Sequence, residues 1–228
     1  MRVAYLDHAA TAPVRPEVAA AMLPWLTERW GNPSGSHAVA RAARAAVDDA
    51  RDVVAAALGV PAAGVVCTGG GTEADNLAVL GALADRPGAI VTTAAEHHAV
   101  LHAAAASGRE VRAVGLTAAG TVDLDALAGC LHGEVAVVSV MLVNNEVGTR
   151  QPLDDVAALV RRRAPGALLH TDAVQAAPWD DLAEAAAAAD LISLSAHKLG
   201  GPQGVGALGI RGAARVAPLL HGGGQERE

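Results

Sequence analysis

Aromatic residues are nearly missing from this sequence: they make up 2% of its 228 residues, and phenylalanine does not occur. A core without large flat rings must be filled by small aliphatic side chains, and hydrophobic residues do reach 52%, with alanine carrying much of that share. Such a composition suits a soluble, helix-rich globular chain with a closely packed interior. Cysteine is almost as scarce. Cys67 and Cys130 form no CxxC pair, which excludes a disulfide framework. Long apolar runs are absent too: none approaches the ~20 residues that cross a bilayer. The opening Met1–Asp7 lacks the apolar stretch of a signal peptide, so a cytoplasmic location is expected, with no membrane partner. Net charge is −7, and the only basic tract is Arg161-Arg162-Arg163, which suits a helix C-terminus better than a nucleic-acid surface. The length accommodates one domain, or one domain plus a fragment of another.

The rarest functional group is the primary amine. Of 17 basic residues only Lys198 is a lysine. Arginine replaces lysine in salt bridges but forms no Schiff base at ordinary pH. A lone lysine in this background reads either as a residue retained for its amine or as an ordinary surface lysine.

Apolar periodicity alternates between short strand-like runs and longer helical ones. Helical patterns cover residues 15–29, 37–58, 72–84, 97–107, 124–131, 153–163 and 181–188. Strand-like runs cover 64–68, 89–92, 111–114, 135–142, 167–171 and 191–195, and a last run over 205–210 is read as a return strand. The fold class expected is α/β: a mostly parallel sheet with helices on both faces, an α/β/α sandwich. Ligands of such sheets bind beyond the carboxyl ends of the strands.

Polar residues collect at those ends. Cys67-Thr68-Gly69-Gly70-Gly71-Thr72-Glu73 turns from strand to helix and offers free N–H groups to an anion, although a plain tight turn reads the same way. It is neither a Walker loop nor a GxGxxG fingerprint. Asp172 follows an apolar strand, where a buried carboxylate needs a cationic partner; a protonated pyridine nitrogen would serve, and a helix-capping role is compatible with it. Lys198 follows another strand, beside Ser195 and His197, which can donate to a phosphate, and before Gly200-Gly201. Glu96-His97-His98 opens a helix and puts an imidazole at the same edge. His98 and His102 share a helix face, but no third ligand has suitable spacing, so no metal site is expected. Asn144-Asn145-Glu146-Val147-Gly148 follows a strand and offers amide donors.

Taken in order, these segments resemble the cysteine desulfurases of the class V aminotransferase group, which have pyridoxal 5'-phosphate (PLP) fold type I. The matching stretches are Tyr5-Leu6-Asp7-His8-Ala9-Ala10-Thr11, Gly31-Asn32-Pro33-Ser34, Gly70–Asn76, Glu96–Val100, Val143–Gly148, Thr171–Gln175, Ser195–Lys198 and Gly222-Gly223-Gly224-Gln225-Glu226. The family often has asparagine at His8 and threonine at Ala12.

The resemblance implies PLP as cofactor, held covalently by Lys198, which also moves protons as a catalytic residue with His97. It implies that Asp172 pairs with the pyridine nitrogen and Gln175 with the ring's phenolic oxygen, and that Gly71, Thr72, Ser195 and His197 cradle the phosphate. His97 stacks on the ring, Asn145 contacts the cofactor's oxygen and the substrate side, and Asn32 lies on the substrate side. The implied reaction takes sulfur from L-cysteine, leaving L-alanine and a protein-bound persulfide that passes to a sulfur acceptor or scaffold protein for iron–sulfur cluster assembly or thiolation.

The resemblance further implies a homodimer. Residues 1–12 would belong to a small domain and residues 13–228 to the PLP-binding large domain, incomplete at its C-terminal end. Family members continue into the rest of the small domain and a nucleophilic cysteine loop, so a truncated enzyme is expected. Cys67 is read as a small buried hydrophobe in a strand and Cys130 as the end of a helix. A selenocysteine lyase, another class V lyase or transferase, and an inactive fragment remain alternatives.

Overall fold

A computed structural model describes residues 4–223 together with Gln225 and Glu226. Met1–Val3 of the opening segment, Gly224 of the last motif, Arg227 and Glu228 lie outside the described residues.

The short apolar runs become strands: β1 (Val65–Thr68), β2 (Ala89–Thr93), β3 (Val111–Val114), β4 (Val135–Ser139), β5 (Leu168–Asp172), β6 (Leu191–Ser195) and β7 (Gly206–Ile210). They form one sheet in the order β1-β7-β6-β5-β4-β2-β3. Every residue of β2, β4, β5 and β6 is buried, as expected for strands covered on both faces. The pairs β2–β3, β2–β4, β4–β5 and β5–β6 are parallel, and β7 runs antiparallel between β6 and β1. The return-strand expectation for that run holds.

Helices join and cover the strands: α1 (Pro16–Thr27), α2 (Ala38–Leu58), α3 (Gly71–Leu80), α4 (His98–Ala106), α5 (Leu124–Cys130), α6 (Leu153–Arg163) and α7 (Leu182–Ala185). The ends of α2 follow from local chemistry. His37 accepts a hydrogen bond from Ala40 N–H at its start, and Gly59, at φ +61°, closes it in the left-handed region that suits glycine. In α6, Asp154 and Asp155 occupy the first turn and Arg161-Arg162-Arg163 the last, matching the helix dipole at both ends.

Three boundaries move by three residues or more. The helix expected to reach Ala84 stops at Leu80 and tightens into a 3-10 turn, in which the Gly81 carbonyl accepts from Ala84 N–H and, at 3.0 Å, from Ala217 N–H. The helix expected over 181–188 contracts to α7. The strand expected over 135–142 ends at Ser139, although Val140 and Leu142 still donate to the carbonyls of His170 and Asp172. Cys67 is a correction: it is exposed. Its strand lies at the sheet edge, where the Cys67 N–H donates to Glu226 at 2.7 Å and Arg51 of α2 bonds the same carboxylate and the Val65 carbonyl. Cys130 ends α5 as read.

The two faces of the sheet carry separate cores. Val138, Leu169 and Ile192 point to one, packed with residues of α2, α5, α6 and α7. Val137, Leu168 and Leu191 point to the other, packed against α3 and α4. On the second face the apolar residues give way toward the strand ends to Ser139, His170, Asp172 and Ser193, all buried.

Candidate active site

The strand order reverses at β2, whose neighbours are β3 and β4, and a cavity of about 510 Å³ opens beyond the carboxyl ends of β2, β4, β5 and β6. Every residue expected from the sequence to bind a cofactor lines it: Gly71 and Thr72 at the start of α3, His97 before α4, Asn145 after β4, Asp172 and Gln175 after β5, and Ser195, His197 and Lys198 after β6. Asn32 is not brought there. It is exposed, and its side-chain oxygen accepts from Ser34 N–H at 2.9 Å.

One end of the cavity is built for an anion. Gly70, at φ +149°, precedes α3 and brings no side-chain cap to it, so the first-turn N–H groups and the positive end of the dipole are available. Gly71 is buried, and a Cβ there would sit 3.0 Å from Val174 and 3.4 Å from Ser195. The loop is buttressed from below: a Cβ on Gly206 of β7 would come within 2.5 Å of the Gly70 backbone. Ser195 and His197 flank this end. Burial, then the charge of Lys198, lowers the pKa of His197, and its Nδ1 lies 3.1 Å from Thr11 Oγ1.

Lys198 sits in the 3-10 turn that follows β6. Its ammonium donates to the carbonyls of Ala9 and, at 2.8 Å, Ala10. Burial lowers its pKa, against the opposing pull of Asp172 and Asp7. Asp172 ends β5 and accepts from Val174 N–H at 2.9 Å, so the capping and site roles coincide. Burial raises its pKa, and the Val174 hydrogen bond and the charges of His97 and Lys198 oppose that. Gln175 donates to the Ala9 carbonyl at 3.0 Å. The two adjacent asparagines divide their work. Asn144 accepts from Glu146 and Val147 N–H and donates to Ala95, shaping the loop, which leaves Asn145 at the cavity. His97 caps α4, accepting from Ala99 N–H at 3.1 Å. The His98 and His102 rings lie 5.3 Å apart, and among the described residues no group of three or more potential ligands forms around a metal position.

Beneath the cavity lies a polar layer that sequence reasoning missed. Asp75 and His170 are 1% and 0% exposed, and Glu96 is buried with them. The Glu96 carboxyl accepts from Thr93 Oγ1 at 2.7 Å and Met141 N–H at 2.8 Å, with Ser139 Oγ at 3.3 Å. Burial nonetheless pushes its pKa up to about 8. His170 sits between two serines, 2.8 Å from Ser139 Oγ and 2.9 Å from Ser193 Oγ, and burial pushes its pKa down to about 3, so the ring is neutral. Asp75 falls on the apolar stripe of α3 with Gly71, Ala74, Ala78 and Val79. A carboxylate at a core-facing helical position was the available signal.

Residues 4–228 match the family described as "Aminotransferase class-V". The chain is 40% identical over 231 residues to a cysteine desulfurase IscS of Dictyoglomus turgidum, covering 99% of this chain and 58% of that protein. It is 44% identical over 229 residues to a cysteine desulfurase of Bradyrhizobium diazoefficiens, covering 98% of this chain and 58% of that one. Among solved structures, a NifS-like protein superposes with a TM-score of 0.93 at 37% identity, covering 100% of this chain and 64% of the other. A protein titled "SspA in complex with cysteine" superposes with a TM-score of 0.90 at 33% identity, covering 98% of this chain and 66% of its own. The chain thus spans under two thirds of the length of these relatives. With its cavity at the switch point of a mostly parallel sheet and a match that runs from Ala4 to Glu228, the chain belongs to the aminotransferase class-V family.

Proposed function

We propose that the chain carries the PLP-binding part of a cysteine desulfurase. One observation carries the reading: the sole lysine and a buried strand-end aspartate line one cavity whose far end is an uncapped helix N-terminus. The residues fit PLP by their chemistry. Asp172 is a buried carboxylate that calls for a cationic or N–H partner, Gly71 leaves room for a group pressed against Ser195, and the N–H groups of α3 suit a phosphate. Bound PLP supplies an electron sink for charge developing beside the nitrogen of an amino acid.

The chain's own residues do the rest. Lys198, its amine made easier to deprotonate by burial, would bind the cofactor and could then take and return a proton. The Asp172 carboxylate would hold the ring N–H, and Gln175 would donate to the ring oxygen. Ser195, His197 and Thr72 would hold the phosphate, His97 would pack against the ring, and Asn145 would serve the cofactor's oxygen and the substrate side.

The substrate reading is L-cysteine, supported by the names of the relatives and by the cysteine complex of the SspA structure. Its Cβ–S bond breaks, the sulfur joins an acceptor thiol as a persulfide, the carbon gains a proton and L-alanine leaves. Neither Cys67 nor Cys130 lines the cavity, so the acceptor thiol is read as coming from outside these residues, and the persulfide passes to a sulfur-acceptor or scaffold protein. We read residues 1–12 as part of a small domain, residues 13–228 as the large one, and the complete protein as a homodimer.

The test is direct. PLP added to the purified chain should give a visible absorption band that Lys198→Ala abolishes. A folded chain without that band would overturn the cofactor assignment. A C-terminally extended protein that releases alanine from cysteine would establish the reaction.

A further inference from the structure

Three carboxyl groups are buried in and under the cavity, and their surroundings differ. Asp172 has a backbone donor, Val174 N–H, with the Lys198 ammonium and the His97 ring nearby. Glu96 has three donors facing it. Asp75 has neither. It is 1% exposed, it lines the cavity, and among the described residues its Oδ1 has no hydrogen-bond partner.

The titratable groups facing Asp75 are His170 and Asp172 from β5 and Glu96 from the turn after β2. None is a cation. His170 Nε2 is 3.6 Å from Asp75 Oδ1, but a ring with a pKa of about 3 carries no charge at neutral pH. A buried carboxylate with no cation and an orphaned oxygen is unfavourable, and protonation relieves it. Burial, followed by the charge of Asp172, raises the Asp75 pKa well above the ordinary value, in the same direction.

The neighbouring hydrogen bonds tie the two aspartates together. Ser139, His170 and Ser193 form a line across β4, β5 and β6, and Ser193 stands directly opposite Asp172 in the β5–β6 register. Asp75 on α3 covers this line from above. Two carboxyl groups sharing a dry site hold one proton between them, and the partner with the stronger donors and the nearer cation keeps the charge. Here that partner is Asp172.

We propose that Asp75 is a positioning residue: a neutral carboxylic acid, set beside the Ser139–His170–Ser193 line, that confines the negative charge to Asp172 and so keeps Asp172 able to hold the ring N–H of the cofactor. An ionised Asp75 would repel that charge and draw the proton onto Asp172. The cofactor half of this inference rests on PLP as the occupant of the cavity, whereas the protonation of Asp75 does not.

The experiment has two arms. Infrared difference spectra of the unloaded chain at pH 7, wild type against Asp75→Asn, should show the loss of a protonated-carboxyl C=O stretch. Loss of carboxylate bands instead would overturn the proposal. In the PLP-loaded chain, the pH titration of the visible band should keep its midpoint in Asp75→Asn, which preserves a neutral donor. In Asp75→Leu the midpoint should shift by about one pH unit, a tenfold change in proton affinity. A purely structural role would lower thermal stability in Asp75→Leu without moving the midpoint, and that result would also overturn the proposal. If Asp75→Leu does not fold, a midpoint in Asp75→Asn displaced by a unit or more serves the same purpose. A wild-type chain that takes up no PLP sinks the cofactor reading and leaves the infrared result to decide the state of Asp75.

Discussion

The two faces of the sheet are built from the same short strands, yet they bury different chemistry. On the face that meets α2, α5, α6 and α7, the apolar layer continues through Val140, Leu142 and Leu194 to the ends of the strands and beyond. On the face that meets α3 and α4, apolar residues occupy the first half of each strand, and Ser139, His170, Asp172, Ser193 and Ser195 occupy the second. Thr92 lies on this face as well, and its hydroxyl, like Asp75 Oδ1, is buried without a partner among the described residues. One face therefore supplies stability through burial, at about 25 cal/mol per Å² of apolar surface. The other gives up part of that burial so that charges and protons can be placed under a ligand.

Glu96 should mark the difference most strongly. Burial raises its folded pKa from the ordinary 4.5 to about 8, so between those values the folded protein retains a proton that the unfolded chain releases. Stability should fall as pH rises through that window and level off above it, by an amount on the order of 5 kcal/mol if the full shift is expressed. Glu96→Gln keeps a neutral group in place, so urea unfolding at pH 5 and pH 8.5 should show the variant gaining on the wild type with pH. Parallel curves would mean that Glu96 is ionised in the fold and that this face tolerates charge better than its burial implies.

On the apolar face, Leu169→Ala removes a fully buried side chain and should cost about 3 kcal/mol in the same unfolding assay, with no dependence on pH. Ser193→Ala should have the smallest effect. It strips one partner from His170 Nε2 and should cost about 1–2 kcal/mol, while altering the PLP band more than Leu169→Ala does. A larger stability loss for Ser193→Ala than for Leu169→Ala would erase the division of labour between the faces.

The sequence made the fold legible where period and punctuation agree. The fully buried strands read as unbroken apolar runs, and Gly59 and the Arg161–Arg163 triplet marked helix ends. The residues lining the cavity were legible because each lies at or within a few residues of the end of an apolar run, where a polar side chain is conspicuous. Hidden features were those set by neighbours distant in sequence. The Gly81 carbonyl accepts from Ala217, and Cys67 is uncovered because its strand is an edge. Glu96 looks like any acidic residue before a helix, and only the approach of Thr93, Ser139 and Met141 makes it a buried acid. Asp75 was visible in principle, as the one charged residue on the apolar stripe of α3. Asn32 was named from its motif alone, and nothing local fixes where such an exposed turn points.

The N-terminal segment is fastened to the molecule by the site itself. Ala9 gives one carbonyl to both Lys198 and Gln175, Ala10 gives another to Lys198, and Thr11 and Ala12 bond to the side chain and backbone of His197. Any occupant that takes the lysine's amine therefore unfastens part of this segment from inside the cavity, leaving the ties at His197 as its hinge. The backbone around Ala9 becomes a mechanical gauge of the cavity, and its susceptibility to limited proteolysis rises as the lysine is taken.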